Sequence, residues 1–249
     1  MAPSPSHCRR HESVAMCFAT AVRAGRSSRD TVSICKSVRT SSAHSDIGIE
    51  MYIAIEGCVG VGKSTVATGL ARYRGARVLL ENFEVNPFLG AFYQNPAENT
   101  LETEFAFLLL HYHQLKPEKL YESAGEVVAD FHLGKDLLYA NLNLKDARAL
   151  KLFDELYALC SEATPCPSLY VYLAASNELL VRRIAARKRD LEANVDSRYF
   201  AAVNEAYEEL FVQYAGPKLR VSMDEWDFVK NESFYQKLSL LVDRELKLK

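Results

Sequence analysis

The octapeptide Gly57-Cys58-Val59-Gly60-Val61-Gly62-Lys63-Ser64 constrains the fold more than any other stretch, because it fits the pattern G-x-x-x-x-G-K-[ST]. Its flanks supply the context the pattern requires. Met51-Tyr52-Ile53-Ala54-Ile55-Glu56 is a short apolar run that reads as a strand, and Thr65 to Arg72 suits a helix. Gly57, Gly60 and Gly62 allow the backbone to curl until its N–H groups face a phosphate chain, and the helix start behind them adds partial positive charge. Lys63 would neutralise β- and γ-phosphate oxygens, and the Ser64 hydroxyl would ligate Mg²⁺. The competing reading, a glycine-rich turn with a surface lysine, must leave the joint placement of glycines, Lys and Ser to coincidence.

Nucleoside triphosphate binding leaves the phosphoryl acceptor open, and length narrows the choice. At 249 residues the chain accommodates one sizeable α/β domain and is short for a multi-domain motor. A net charge of −2 carries no general nucleic-acid signature, so no nucleic-acid partner is expected. No window approaches the apolar run of about 18 residues that a bilayer requires, so no membrane partner is expected either.

Composition shifts near residue 50. In residues 1–50, Arg9, Arg10, Arg23, Arg26, Arg29, Lys36 and Arg39 outnumber Glu12, Asp30, Asp46 and Glu50 among many Ser and Ala, a composition that favours disorder. Two readings stand: a transit peptide, implying the mitochondrial matrix, or upstream sequence ahead of a start at Met51, implying the cytoplasm. The second is favoured because Met51 begins the first strand. Residues 51–249 form the expected domain. Cys58, Cys160 and Cys166 show neither zinc spacing nor a disulfide framework, as in a reducing compartment.

Short apolar runs at 77–80, 126–129, 169–173 and 219–222 continue the strand series, with helical patterns near 98–115, 134–160, 176–189 and 197–213. Crossovers of this length predict a five-stranded parallel sheet covered by helices on both faces. Ligands then collect at the carboxyl ends of the strands. Strand two leads into Glu81-Asn82-Phe83-Glu84 and strand three into Asp130-Phe131-His132. A carboxylate there, Glu81 first, can take a proton from an attacking hydroxyl. A solvated acid at a strand end is the plainer alternative for each. After strand four, Arg182, Arg183, Arg187, Lys188 and Arg189 crowd one helix and its exit, either as a solvated basic face or as a lid clamping phosphate. The accompanying glycine loop favours the lid.

Six ordered stretches together carry a family resemblance: Glu56 to Thr65, Leu79 to Leu89, Phe92 to Pro96, Lys135 to Ala140, Arg182 to Glu192 and Asp224 to Phe228. They span nearly all of residues 51–249, and the chain resembles the deoxynucleoside kinases, most of all their bacterial deoxyadenosine/deoxyguanosine branch. The resemblance implies a three-layer P-loop kinase fold with an arginine-rich lid. It also implies a phosphotransferase with an alcohol acceptor, using ATP and Mg²⁺ to phosphorylate a deoxyribonucleoside 5′-hydroxyl.

Residue by residue, the resemblance makes Glu81 the catalytic carboxylate, with Lys63, Arg183 and Arg187 stabilising the transferred group. Gly57, Cys58, Val59, Gly60, Val61, Gly62, Lys63, Ser64 and Thr65 hold the triphosphate, together with Arg187 and Arg189. Asp224, Glu225 and Phe228 lie in the loop that holds the adenine of ATP. Tyr93 and Glu192 match contacts to the sugar 3′-hydroxyl that leave no space for a 2′-hydroxyl. The chain departs from the family twice. Where many members carry an acid-Arg-Ser triplet after strand three, this one reads Ala129-Asp130-Phe131, so Lys135 or Arg183 is expected to supply the cation, and Asp130 to reach Mg²⁺ through water. Where members carry Gln and Arg to read the base, this one offers Glu102, Glu104 and His111. A carboxylate accepts hydrogen bonds from an exocyclic amino group, which leans toward adenine, guanine or cytosine. The acids instead face solvent if Phe105, Leu108, Leu109 and Tyr112 form an apolar stripe. A nucleoside monophosphate kinase and a non-catalytic nucleotide-binding protein are the alternatives. The resembled family is commonly dimeric, and a homodimer through the long helices is expected.

Overall fold

A computed structural model describes residues 51–122, 125–187, 196–225 and 231–248. Expectations for residues 1–50, and for Lys188, Arg189, Glu192 and Phe228, lie outside the described residues. Five strands form one parallel sheet: β1 (Met51–Glu56), β2 (Arg77–Leu79), β3 (Glu126–Ala129), β4 (Leu169–Ala174) and β5 (Lys218–Ser222). Their order is β2-β3-β1-β4-β5. The first strand is therefore central, with β3 on one side and β4 on the other. The chain's direction of travel across the sheet reverses beside β1, where ligand crevices form in open sheets of this kind.

Nine helices accompany the sheet among the described residues: α1 (Lys63–Arg74), α2 (Leu89–Gln94), α3 (Pro96–Leu115), α4 (Pro117–Leu120), α5 (Gly134–Asn143), α6 (Ala147–Glu162), α7 (Asn177–Arg187), α8 (Ser197–Gln213) and α9 (Glu232–Leu246). Alternation along β1 divides the core. Ile53 and Ile55 pack with Val66, Ala67 and Leu70 of α1 and with Phe234 and Leu238 of α9. Tyr52 and Ala54 pack with Leu108 and Leu115 of α3 and with Phe153 and Tyr157 of α6. Both faces of β1 are thus apolar, as a parallel strand under two helical layers requires.

Two differences from the sequence expectation have local causes. The continuous helix expected over 134–160 is two helices, because Leu144 is extended and Asp146 begins a new helix by accepting the Arg148 N–H at 2.7 Å. The C-terminal helix α9, which periodicity did not single out, starts at Asn231, whose side chain accepts from the Ser233 N–H at 3.1 Å. Its Tyr235 ring explains a glycine in the middle of α1: a Cβ on Gly69 would lie 2.1 Å from that ring. No helix among the described residues is long and apolar enough to cross a membrane.

Candidate active site

Three strand ends converge on the site. At the end of β1 the chain enters the glycine loop with Gly57, Gly60 and Gly62 at φ of 147°, 85° and 106°. Side chains are excluded at the first two for a second reason. A Cβ on Gly57 would sit 2.6 Å from the Leu173 carbonyl oxygen, and one on Gly60 would sit 2.7 Å from Ile184. Lys63 folds back over the loop and donates to the carbonyls of Gly57 and Cys58 at 2.7 and 3.4 Å. Among the described residues no side chain caps the start of α1, whose N–H groups suit a phosphate chain.

The residues of the loop divide by exposure. Cys58 and Val61 are buried, Val59 is partly buried, and Ser64 and Thr65 are exposed. Burial pushes the Cys58 thiol up to about 12, and its Sγ lies 3.6 Å from the Phe200 carbonyl, so it is filler rather than a reactive nucleophile. An exposed serine hydroxyl with a carboxylate at the neighbouring strand end suits Mg²⁺, which takes few protein oxygens when phosphates supply the rest. No cluster of three His, Cys, Asp or Glu capable of holding a metal occurs among the described residues.

Opposite the loop, a cluster at the end of β2 is built by ion pairing. Glu81, just beyond β2, has one carboxylate oxygen 2.5 Å from Lys135 Nζ and the other 3.1 Å from His111 Nε2. His111 in turn places Nδ1 2.7 Å from Asp136, and its ring lies 5.5 and 5.0 Å from those of Phe107 and Phe131. Burial pushes the Glu81 carboxyl up, but Lys135 and His111 together reverse this and hold it well below the usual carboxylate range. Burial lowers His111, yet Asp136 and Glu81 raise it to about 9, so it is an imidazolium at neutral pH. Asp130 fixes this corner: its Oδ1 accepts the Glu81 N–H at 2.6 Å, while its own N–H donates to the Leu79 carbonyl at 3.1 Å.

A third cluster lies beside this one. Glu104 accepts from Asn143 at 2.7 Å, and Asn143 also donates to the Tyr199 hydroxyl at 3.1 Å. Burial pushes the Glu104 carboxyl up to about 8, against the Asn143 hydrogen bond. Glu102, expected as a base contact, is exposed, and Leu109 of the expected apolar stripe is exposed too. The reason is helical phase: His111 and Glu104 are seven residues apart and share a face, which residue 102 does not. Tyr93 on α2 is half-buried, its ring edge-on to Phe92 at 5.6 Å.

The arginine helix also differs in part from expectation. Arg183 donates to the Val61 carbonyl at 2.9 Å, so it ties α7 to the glycine loop. Arg187 is exposed at the helix end. Asp224 accepts from the Ser176 N–H at 3.0 Å, joining the ends of β4 and β5, while Glu225 is exposed. Sequence reasoning gave no role to Asp136, Asn143 or Tyr199. An acid directly after Lys135, a polar residue at the end of α5 and one in the first turn of α8 were the only signals available. Cys58 and Cys160 are free thiols, whereas Cys166, for which the sequence shows no disulfide framework, is disulfide-bonded.

Comparison with known proteins agrees with this fold. The deoxynucleoside kinase family model matches residues 53–246. The chain is 32% identical over 195 residues to a deoxyguanosine kinase of Bacillus subtilis, covering 76% of this chain and 94% of that protein. It is 26% identical over 189 residues to a deoxyadenosine/deoxycytidine kinase of the same organism, covering 73% and 86%. Among solved structures, the deoxyadenosine kinase of M. mycoides with bound dATP superposes with a TM-score of 0.66 at 24% identity, covering 76% of this chain and 99% of that one. A structure of the same enzyme with the products dCMP and a flexible dCDP superposes with a TM-score of 0.67 at 22% identity, covering 77% and 100%. With its glycine loop facing an ionised carboxylate across the end of a five-stranded parallel sheet, this chain belongs to the deoxynucleoside kinase family.

Proposed function

We propose that the chain transfers the γ-phosphoryl of ATP to the 5′-hydroxyl of a deoxyribonucleoside bearing an amino-substituted base, a purine deoxynucleoside or deoxycytidine. The observation that carries the reading is Glu81, held ionised between Lys135 and His111 beside the Lys63 loop. A carboxylate has about four lone-pair sites, so two donors leave room for a substrate hydroxyl. As that hydroxyl attacks, Glu81 takes its proton.

Lys135 stands in for the missing arginine. After burial, the charge of Lys135 is the next cause lowering the Lys63 ammonium, which supports both cations facing one locus. A phosphoryl group there would relieve their repulsion. Mg²⁺, held by Ser64 with Asp130 acting through water, would supply further charge neutralisation. Arg183 acts by holding the loop, and Arg187, with Arg189, closes on phosphate.

Glu104 reads the base in place of Glu102. The Glu104 carboxyl accepts from an exocyclic amino group, while His111, both of whose ring nitrogens are taken by Glu81 and Asp136, holds the neighbouring wall of the pocket. The relatives are named for deoxyguanosine, deoxyadenosine and deoxycytidine, whose bases all bear such a group. Tyr93 with Glu192 contacts the 3′-hydroxyl, and Asp224, Glu225 and Phe228 border the adenine of ATP. Exposed Leu101 and Leu109 on α3, with Leu152 and Leu159 on α6, support a homodimer through these helices. The cytoplasm is the compartment proposed, and titration of thiols in protein taken directly from cells tests it at Cys166.

The test is phosphoryl transfer from labelled ATP to the four deoxynucleosides and adenosine. Transfer to deoxyguanosine or deoxyadenosine well above thymidine and adenosine is expected. Equal rates on adenosine and deoxyadenosine would defeat the exclusion of the 2′-hydroxyl.

A further inference from the structure

Glu56 is the one acid in β1, and its side chain is wholly buried, with 0% exposure, beneath the glycine loop. Burying a carboxylate is costly unless donors satisfy it, so its partners indicate what it holds. One oxygen accepts the Gly57 N–H at 3.3 Å and the Tyr207 hydroxyl of α8 at 3.1 Å. The other accepts the His132 N–H at 2.6 Å. His132 then starts α5: its Nδ1 accepts the Gly134 N–H at 3.0 Å, and its carbonyl accepts the Lys135 N–H at 3.1 Å. Burial lowers the His132 ring to about 4, which leaves it neutral and able to accept there.

One carboxylate therefore touches the first residue of the phosphate loop and the turn that launches the helix carrying Lys135. Lys135 holds Glu81, so the chain of contacts runs from the donor loop to the base without a gap. Every hydrogen-bonding partner of Glu56 is a donor. A carboxylate can accept all three, whereas an amide offers one oxygen and must turn its NH₂ toward an N–H. Burial pushes the Glu56 carboxyl up to about 7, with Lys135 and Lys63 pulling it down, so the two site cations also favour its ionised form.

We infer that Glu56 is a positioning residue for phosphoryl transfer, fixing the separation between the phosphate loop and the Lys135–Glu81 pair, with Tyr207 locking its carboxylate. It touches neither substrate. Its effect falls on the alignment of the two halves, where small displacements are expensive in rate. The inference rests on the kinase reading above.

The experiment compares the unsubstituted chain with Glu56→Gln and Tyr207→Phe, measuring kcat, both KM values, and affinity for adenosine and deoxyadenosine joined through five phosphates. For Glu56→Gln, kcat should fall about 30-fold or more with each KM within about threefold, the split expected when transition-state alignment alone is lost. The joined ligand should lose about tenfold beyond the combined losses of its two separate halves, because it alone requires their correct spacing. Tyr207→Phe should show the same pattern at about three- to tenfold in kcat, and it decides the matter if Glu56→Gln does not fold. Unchanged kcat in a folded variant, or equal losses in both KM values with no excess for the joined ligand, overturns the inference. No turnover by the unsubstituted chain overturns the kinase reading together with it.

Discussion

The donor and acceptor halves of this site are made of different material. Around the phosphates the protein uses backbone: three left-handed glycines and a helix start, with Lys63 laid across them. At the proposed nucleoside subsite it uses side chains brought from the end of β2, α3 and α5 into one ion-paired chain, Lys135–Glu81–His111–Asp136. Backbone recognition suits a group common to every nucleotide. Side-chain recognition suits an acceptor that must be told apart from close relatives, because unpaired buried polar groups penalise the wrong one.

The contrast breaks first at Glu81. Replacing it with Gln removes the proton acceptor and should lower kcat about 10³-fold while nucleotide affinity, measured by fluorescent ADP titration, stays within about threefold. A comparable loss of ADP affinity would show that the halves are not separate.

His111 gives the next largest effect, read in stability. Its value rises from 6.5 to about 9 on folding, so its stabilisation is fully present below about pH 6.5 and is lost as pH rises through 9. The stability gap between the unsubstituted chain and His111→Gln, from urea unfolding, should shrink by on the order of 3 kcal/mol between about pH 6 and pH 9.5. The titration of Glu56 is common to both proteins and cancels; that of Glu104 is coupled to the His111 charge and is removed by making the comparison in a Glu104→Gln background. A gap that widens with pH would mean His111 is neutral in the folded state.

Lys135→Met leaves Glu81 with His111 as its one remaining ion-pair partner and takes a cation from beside Lys63. A fall of about 10²-fold in kcat is expected, with Lys135→Arg recovering part of it. The smallest effect separates two acids on α3. Glu104→Gln should raise the nucleoside KM about tenfold, whereas Glu102→Gln should change it less than twofold. Equal effects would undo the assignment of the base contact by helical phase.

The same contrast explains which parts of the molecule are legible in the amino-acid sequence. The glycine loop is a local object, with spacing and flanks contiguous in the chain, so its residues, its strand and its helix can all be read directly. Strand positions follow from apolar runs and crossover lengths. The acceptor network is legible only in pieces: Glu81 by its place after a strand, His111 and Lys135 by family resemblance. That Glu104 is buried while Glu102 is exposed is not legible either, since α3 carries apolar residues on several faces and periodicity does not fix its phase. Asp136 and Glu56 escape notice because their importance lies in contacts across the fold, Glu56 with His132 and Tyr207, for which no local pattern exists.

The central place of β1 also has a consequence for how the protein is made. Met51 pairs with Glu126 and Ile53 with Leu169, so the strand that leads into the phosphate loop receives its two neighbours from distant sequence. Loop closure of that length is an entropic cost met before either ladder contributes, and such topologies fold slowly. During synthesis the earliest strand of the sheet therefore waits for β3 on one edge and, longer, for β4 on the other, with apolar surface uncovered meanwhile. The loop most easily recognised on paper belongs to the strand that the growing chain secures late.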